Sequence, residues 1–416
     1  MAAEVLSHAL RGGGWPGPQY DHGGICPVRV AGSREGAAEL YLLRSWDSVV
    51  TVLRQPGLRD LRNIPRGHAV GGVTLQHQDG LLRRNPPDTN IGRVFKPLFA
   101  DVAHWRPAIR RFGRRRAAEV RAARGPVDLG AVFCRPFIGD VVTLTAGLLD
   151  GEWPILRDLS NRTTGALLRS PGDHAVVTGS WDDMYEFCRP VIARKRAAWQ
   201  QAGHRAGLSL TTRTVAAMDA SGMPGHEVDH AAPTVFNGFP TTEPTFLVAV
   251  AEMLLHPDAI QLCRQRPGLW RAALREILRQ KAHFTFALPG LLTQELTVDG
   301  CTLPRGSAVL PVVHAAEYDT TRTPDPGTFD LLRPPRPILA FGAGPHRCPG
   351  MALVEMAMAE GLAALTELNP GLRLAVRPEQ VPWLEGTMPA PAEIPAVPGP
   401  GSLDHAVLES VQQSRA

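Results

Sequence analysis

Long apolar runs are missing from this 416-residue chain. Nowhere do about 18 apolar residues follow one another, which excludes a helical membrane span. The opening residues, MAAEVLSHALRGGGWPG, lack a basic segment followed by an apolar one, so no secretory signal is expected there. A strong charge of one sign is missing too. The net charge is +4 with basic residues scattered, and nothing points to a nucleic acid partner. Cysteine is sparse: Cys26, Cys134, Cys188, Cys263, Cys301 and Cys348 stand far apart, with no Cys-x-x-Cys pair and no zinc-finger spacing. They read as reduced cysteines of a cytoplasmic protein, five structural and one functional. Internal repeats are absent as well.

What the chain does have is 44% hydrophobic residues, ample for a large core. Helical periodicity dominates from Arg44 onward, with segments expected near 104–124, 128–150, 180–203, 230–256, 268–282 and 350–368. Short strands are expected at Glu295–Val298, Ala308–Val313 and Leu372–Val376. Residues 1–30, rich in Gly and Pro, read as an extended N-terminal segment, and 399–416 as a loosely ordered tail. Proline-rich stretches at Pro324, Pro334 and 389–400 read as loops. The fold class is mainly α with a small β side-region, in one domain over 31–398.

The densest chemistry lies in Phe341-Gly342-Ala343-Gly344-Pro345-His346-Arg347-Cys348-Pro349-Gly350. Gly342 and Gly344 let the backbone turn tightly and approach a large flat ligand. The helix expected from Met351 aims its N-terminal amides at the Cys348 sulfur, favouring thiolate. Pro349 has no N–H, so Gly350 and Met351 are left as the amide donors to that sulfur. A thiolate so surrounded suits haem iron. The plain alternative is a cysteine buried for packing in a loop-to-helix turn.

This stretch resembles the haem-binding signature of the cytochrome P-450 family, with each fixed position present. The resemblance extends over about 30–395 and implies a single-domain cytochrome P-450 fold holding haem b (iron protoporphyrin IX), with Cys348 as axial ligand of the iron. Glu276-Ile277-Leu278-Arg279 resembles the family's Glu-x-x-Arg. A Glu and an Arg three apart on a helix are otherwise an ordinary solvated pair. With Arg333, from Pro324–Arg333, the resemblance implies a buried structural ion network. Asn85-Pro86-Pro87-Asp88-Thr89-Asn90-Ile91-Gly92-Arg93 resembles a haem-edge segment, with Arg93 and His346 implied as propionate contacts. Thr89 stands where the family has histidine, and near Gly290 no arginine supplies a further contact.

The helix over 230–256 corresponds to the one crossing the distal haem face. Family members carry an acid and an alcohol there, and this chain reads Asn237-Gly238-Phe239-Pro240-Thr241-Thr242-Glu243-Pro244. Thr241, 35 residues before Glu276, takes the alcohol position, and Pro240 takes the acid position. Pro240 cannot relay a proton, and with Pro244 it predicts a broken or widened helix. Asn237, Thr241 and Pro240 are the candidate catalytic positions. Glu243 is a substitute proton donor only if the turn unwinds. Phe239, Phe284, Phe286 and Leu288 are the candidate pocket, suggesting an apolar or aromatic substrate, with core packing as the alternative. His283 reads as a satisfied surface or core histidine rather than a substrate contact. Loops near 62–82 and 165–205 are expected to form the roof.

Monooxygenation of a small secondary metabolite, with electrons from a separate ferredoxin and reductase, is the function the resemblance implies. Two alternatives stay open. One is chemistry driven by peroxide or by an N–O or O–O bond of the substrate, including C–N or C–C bond formation. The other is a haem protein that recruits substrate without turnover.

Overall fold

The computed structural model describes residues 25–28, 40–55, 69–70, 73–74, 98–99, 101–169, 174–202, 209–222, 236, 238–281, 287, 290–384 and 389–399. Its helices in chain order are α1 (Trp46–Leu53), α2 (Arg106–Arg121), α3 (Arg135–Val142), α4 (Glu152–Arg169), α5 (His174–Ala202), α6 (Leu210–Ala220), α7 (Phe239–Met253), α8 (Pro257–Gln265), α9 (Trp270–Gln280), α10 (Val313–Glu317) and α11 (Met351–Leu368). Wider π turns at Gly130–Cys134 and Thr143–Gly147 flank α3. No single described helix is long and apolar enough to cross a membrane.

The largest sheet has four strands. β1 (Ile25–Val28) runs antiparallel to β2 (Leu40–Leu43), β2 runs parallel to β9 (Ala308–Pro311), and β9 pairs antiparallel with β6 (Gly290–Leu291). Antiparallel pairs join β3 (Ala69–Val70) to β4 (Val73–Thr74) and β7 (Leu296–Val298) to β8 (Cys301–Leu303). β11 (Trp383–Leu384) pairs with β12 (Ala390–Pro391), and β13 (Pro395–Val397) lies between β10 (Arg373–Leu374) and β5 (Val127–Asp128).

α11 is the central strut. Residues around its whole circumference are buried, from Leu353 and Met356 to Ala364, Leu365 and Leu368, as expected of an apolar helix enclosed by others. Gly361 sits where a Cβ would lie 2.7 Å from both Phe137 and Phe246, so only hydrogen fits beneath the ring cluster of Phe133, Phe137 and Phe246. α2 also packs against α11, Gly113 facing Ala364 beside the Phe137 ring. Its buried stripe is Ile109, Gly113, Ala117 and Val120, the spacing of one helix face. The seven arginines of α2 all fall outside that stripe. Arg110 reaches Glu360 at 2.8 Å and Arg116 reaches Asp140 at 2.8 Å, so part of that charge ties the helix to its neighbours.

The expected segments near 104–124, 128–150, 180–203, 268–282 and 350–368 correspond to helices, and the expected strands to β7, β9 and β10. Two expectations need correction among the described residues. Within 165–205 those residues are helical rather than loop: α4 ends at Arg169 and α5 runs from His174 to Ala202 with Pro190 inside it. α6 and α8 form where no helical segment is expected. Among the described residues the distal helix spans Phe239–Met253, while 223–235 and 237 lie outside them. Segments 1–24 and 400–416 lie outside the described residues.

Candidate functional site

The ten-residue loop enters α11 as a tight double turn. Gly342 and Gly344 have φ of +69° and +70°, conformations that L side chains rarely adopt. At Gly344 a Cβ would also strike the Leu53 carbonyl and lie 2.9 Å from the Arg54 Cα, so the loop is pressed onto the end of α1. Around Gly342, by contrast, the nearest atom to an added Cβ is the Arg347 Cα at 4.0 Å. That side is an open cradle able to admit a flat ligand. The Phe341 carbonyl accepts the Cys348 N–H at 2.8 Å, which closes the loop on itself.

Cys348 is exposed as a residue, yet its sulfur sits among protein atoms. Burial pushes the thiol above its ordinary pKa, while the amides of Gly350 and Met351, hydrogen-bonded to the sulfur, and the Arg347 charge pull it back. Both donors follow Pro349, which has none to give. A sulfur with two amide donors beside an open glycine cradle fits an iron-centred flat cofactor, because the amides neutralise the negative charge of a thiolate ligand. Gly350 lies against this sulfur, an added Cβ there falling 3.8 Å from it. His346 is described by its backbone alone, in the turn Gly344–His346.

Beneath the loop, Glu276 and Arg279 of α9 meet Arg333. Arg279 donates to both Glu276 oxygens at 2.9 and 2.8 Å, and Arg333 Nε donates to Oε1 at 3.1 Å. The Asp330 amide adds a fourth donor at 3.2 Å. Burial alone would raise the Glu276 pKa, but the Arg279, Asp330 and Arg333 donors outweigh it and hold the carboxyl below its usual range. Both guanidinium groups are further satisfied by carbonyls, Arg279 by Pro326 at 2.7 Å and Arg333 by Pro324 at 2.7 Å.

On the distal side, Gly238 caps α7 and Pro240 falls in the first turn. A missing N–H is harmless there, since the first amides of a helix have no intrahelical partner. The expected cost at Pro240 is therefore not incurred. Pro244 does sit inside the helix, which nevertheless continues to Met253. The hydroxyl of Thr241 donates to the Gly238 carbonyl at 2.9 Å, leaving its lone pairs as acceptors. Glu243 is no substitute proton donor. It is buried and takes Arg157 in a two-pronged pair at 2.5 and 2.7 Å, with Arg135 at 3.4 Å, so it points toward α3 and α4. Phe239 and Pro240 are described by backbone alone, whereas Asn237, Arg93, Thr89, His283, Phe284, Phe286 and Leu288 lie outside the described residues.

The structure adds groups that sequence reasoning missed. Glu355, buried in α11, is held by Arg271 and Arg275, each at 2.5 Å. Glu317 is buried at the end of α10 beside the start of the cysteine loop. Both are single carboxylates in apolar stretches, which is a faint signal at most. Cys134, Cys188 and Cys263 are buried, but Cys301 is exposed on β8, so packing does not account for it.

The Cytochrome P450 family model matches residues 268–367, from α9 through α11. Nocardicin C N-oxygenase of Nocardia uniformis subsp. tsuyamanensis is 28% identical over 321 residues, 76% of this chain and 78% of the relative. Mycinamicin IV hydroxylase/epoxidase of Micromonospora griseorubida is 27% identical over 330 residues, covering 76% and 79%. Among solved structures, that of HinD with NMFT and NO superposes with a TM-score of 0.75 at 25% identity, covering 95% of this chain and 94% of HinD.

Proposed function

This chain belongs to the cytochrome P450 family and is an oxidoreductase of the haem-thiolate type, and we propose that it inserts one oxygen atom into a small, largely apolar or aromatic secondary metabolite. The carrying observation is the Cys348 sulfur at the mouth of α11 with the Gly350 and Met351 amides on it. The family implies a haem-iron cofactor, and haem b is the form we assign. When bound, the haem supplies a redox-active iron whose reactivity toward an oxidant is tuned by a thiolate ligand.

The chain's own residues then have separate tasks. Cys348 would ligate the iron, Phe341, Gly342 and Gly350 would shape the cradle around it, and His346 and Arg93 would hold the haem propionates. Glu276, Arg279 and Arg333 hold the core below the loop. Thr241 uses its free lone pairs to order a water, and Asn237 and Pro240 are the further catalytic positions assigned with it. Phe239, Phe284, Phe286 and Leu288 supply the apolar wall, which favours a substrate with little charge. Electrons come from a separate ferredoxin and its reductase. The exposed face of α2 suits such an acidic partner: Arg106, Arg110 and Arg114 are about half exposed, and Arg111 pairs with no carboxylate of the described residues. Buried free cysteines at 134, 188 and 263 support a reducing, cytoplasmic setting.

Pro240 favours a second reading. With proline in the acid position and Glu243 sealed by Arg157, the usual proton relay is missing a member. An oxidant delivered as peroxide, or by an N–O or O–O bond of the substrate, would make that relay unnecessary. One experiment separates the readings. Haem-loaded protein is mixed with extract of a host strain lacking the gene, either in air with ferredoxin, reductase and NADPH, or anaerobically without reductant. A product one oxygen heavier, in air only, supports monooxygenation. An anaerobic product supports the second reading. No product in either arm, with substrate-induced spectral shifts retained, supports a protein that recruits substrate without turnover.

A further inference from the structure

Glu317 is an unusual group to find where it lies. It is fully buried at the C-terminus of α10, in a short stretch otherwise made of Val, His and Ala. A carboxylate is almost never enclosed without partners that repay its desolvation. Its partners here point in one direction. Oε1 accepts the Leu339 N–H, and Oε2 accepts Arg336 Nη2 at 3.1 Å.

Leu339 opens the turn Leu339–Phe341 that leads into the cysteine loop. Its amide is buried, and as the first of a turn it has no partner within the turn, so it would otherwise be an orphan donor. A carboxylate on it forms a charge-assisted bond. From there the hydrogen bonds continue in series. Gly342 N–H donates to the Leu339 carbonyl at 2.8 Å, and Cys348 N–H donates to the Phe341 carbonyl at 2.8 Å. Glu317 therefore stands at the root of the chain of contacts that presents the sulfur.

Arg336 braces the same point from outside. Its guanidinium lies 5.4 Å over the Trp46 ring and donates to the Arg322 carbonyl at 3.4 Å, and its own carbonyl accepts Arg275 Nη2 at 2.7 Å. We propose that Glu317 is a positioning residue for the Cys348 thiolate, its carboxylate anchoring the first amide of the turn and, through Arg336, locking that turn to α1 and α9. The proposal rests on the reading of Cys348 as the iron ligand.

The anchor also carries a pH dependence. Burial pushes the Glu317 pKa up to about 7, against the Leu339 amide, Arg336 and Arg279, which favour the anion, while Glu276 adds repulsion. Those are the charged groups facing it from the loop and from α9, and His314 shares its helix, held neutral against the Gln280 carbonyl at 2.8 Å. Proton uptake by Glu317 removes the ion pair with Arg336 and one acceptor, so the turn loosens on the acid side of neutrality.

The test uses haem-loaded wild type, Glu317→Gln and Arg336→Gln. The fraction of ferrous carbon-monoxide complex showing thiolate ligation is read between about pH 5.5 and about pH 8.5, a span centred on the pKa to which burial raises Glu317. Amide exchange is followed at Leu339 and Cys348. Wild type should lose thiolate ligation as pH falls through about 7. Glu317→Gln should start with a reduced thiolate fraction, show no transition there, and exchange both amides about tenfold faster, the equivalent of one net hydrogen bond. Arg336→Gln should keep the Leu339 amide protected and move the transition to higher pH. An unchanged thiolate fraction and pH profile in Glu317→Gln would overturn the proposal, even if stability falls. If that variant takes up no haem, unchanged exchange at Leu339 and Cys348 in the haem-free protein overturns it equally. Failure of the underlying reading looks different: wild type itself would show no thiolate ligation, or Cys348→Ala would retain it.

Discussion

Replacing Glu276 by Gln is the sharpest test of how the core below the cysteine loop is held. The carboxylate takes four N–H groups, two from Arg279, one from Arg333 and one from the Asp330 amide. Gln has a single acceptor oxygen, so either three donors on one side or one on the other must face an NH2 group. Its neutral head also deprives Arg279, only 1% exposed, of the carboxylate it pairs with directly. Stranding a buried charge costs about 3–5 kcal/mol. Carbonyls of Pro326 and Pro324 continue to hold the two guanidinium groups, which places the expectation at the lower end, about 3 kcal/mol. The control is Arg271→Gln. Arg271 is 60% exposed and Glu355 keeps Arg275, so this loss should stay within about 1 kcal/mol. Guanidinium chloride unfolding at neutral pH measures both. A Glu276→Gln loss no greater than that of Arg271→Gln would refute the picture of a buried network. There is a pH corollary. Because the Glu276 pKa is depressed, its stabilisation is present above the ordinary carboxylate range and is lost as pH falls through the lowered value. Glu276→Gln should flatten that part of the stability profile.

Three further outcomes are expected. Gly344→Ala should both strain a φ of +70° and push the cysteine loop off Leu53, so haem titration should show weakened uptake with little change at α2 or α5 in hydrogen exchange. His314 is buried with its pKa pushed down to about 4 by desolvation, so the folded state resists protonation that the unfolded chain accepts. Stability should then fall by about 3 kcal/mol as pH drops from about 6.5 to about 4, a loss that His314→Gln should remove, as read from unfolding midpoints across pH. Arg157→Met leaves Glu243 buried with only the longer Arg135 contact, and should destabilise the protein by about 2 kcal/mol or more while leaving the Soret spectrum unchanged. A changed spectrum would mean that Glu243 reaches the distal cavity after all.

Some of this was written plainly in the chain. The cysteine loop could be read because its chemistry is local: Gly342, Gly344, Pro349 and Cys348 act within ten residues, and backbone rules alone say which amides remain for the sulfur. The Glu276–Arg279 spacing was equally local, one turn on one helix face. The long apolar helix after Gly350 could be seen from composition. Distal architecture was harder. Reading Pro240 and Pro244 as two breaks assumed a helix already running through Phe236, whereas α7 starts at Phe239 and Pro240 falls in its first turn. A proline's cost depends on which turn it occupies, and the starting point of a helix is set by packing more than by propensity.

The family resemblance, the mainly helical class and the sulfur at the head of α11 were legible in the chain, since each rests on short-range pattern. Tertiary structure decided where the lone carboxylates go. Glu243 faces Arg157 across 86 residues, Glu355 faces Arg275 across 80, and Glu317 reaches the Leu339 amide across 22. The physical reason is the same each time. A buried carboxylate must find donors to offset its lost hydration, and those donors are chosen by which surfaces the fold brings together, a choice that no local pattern records.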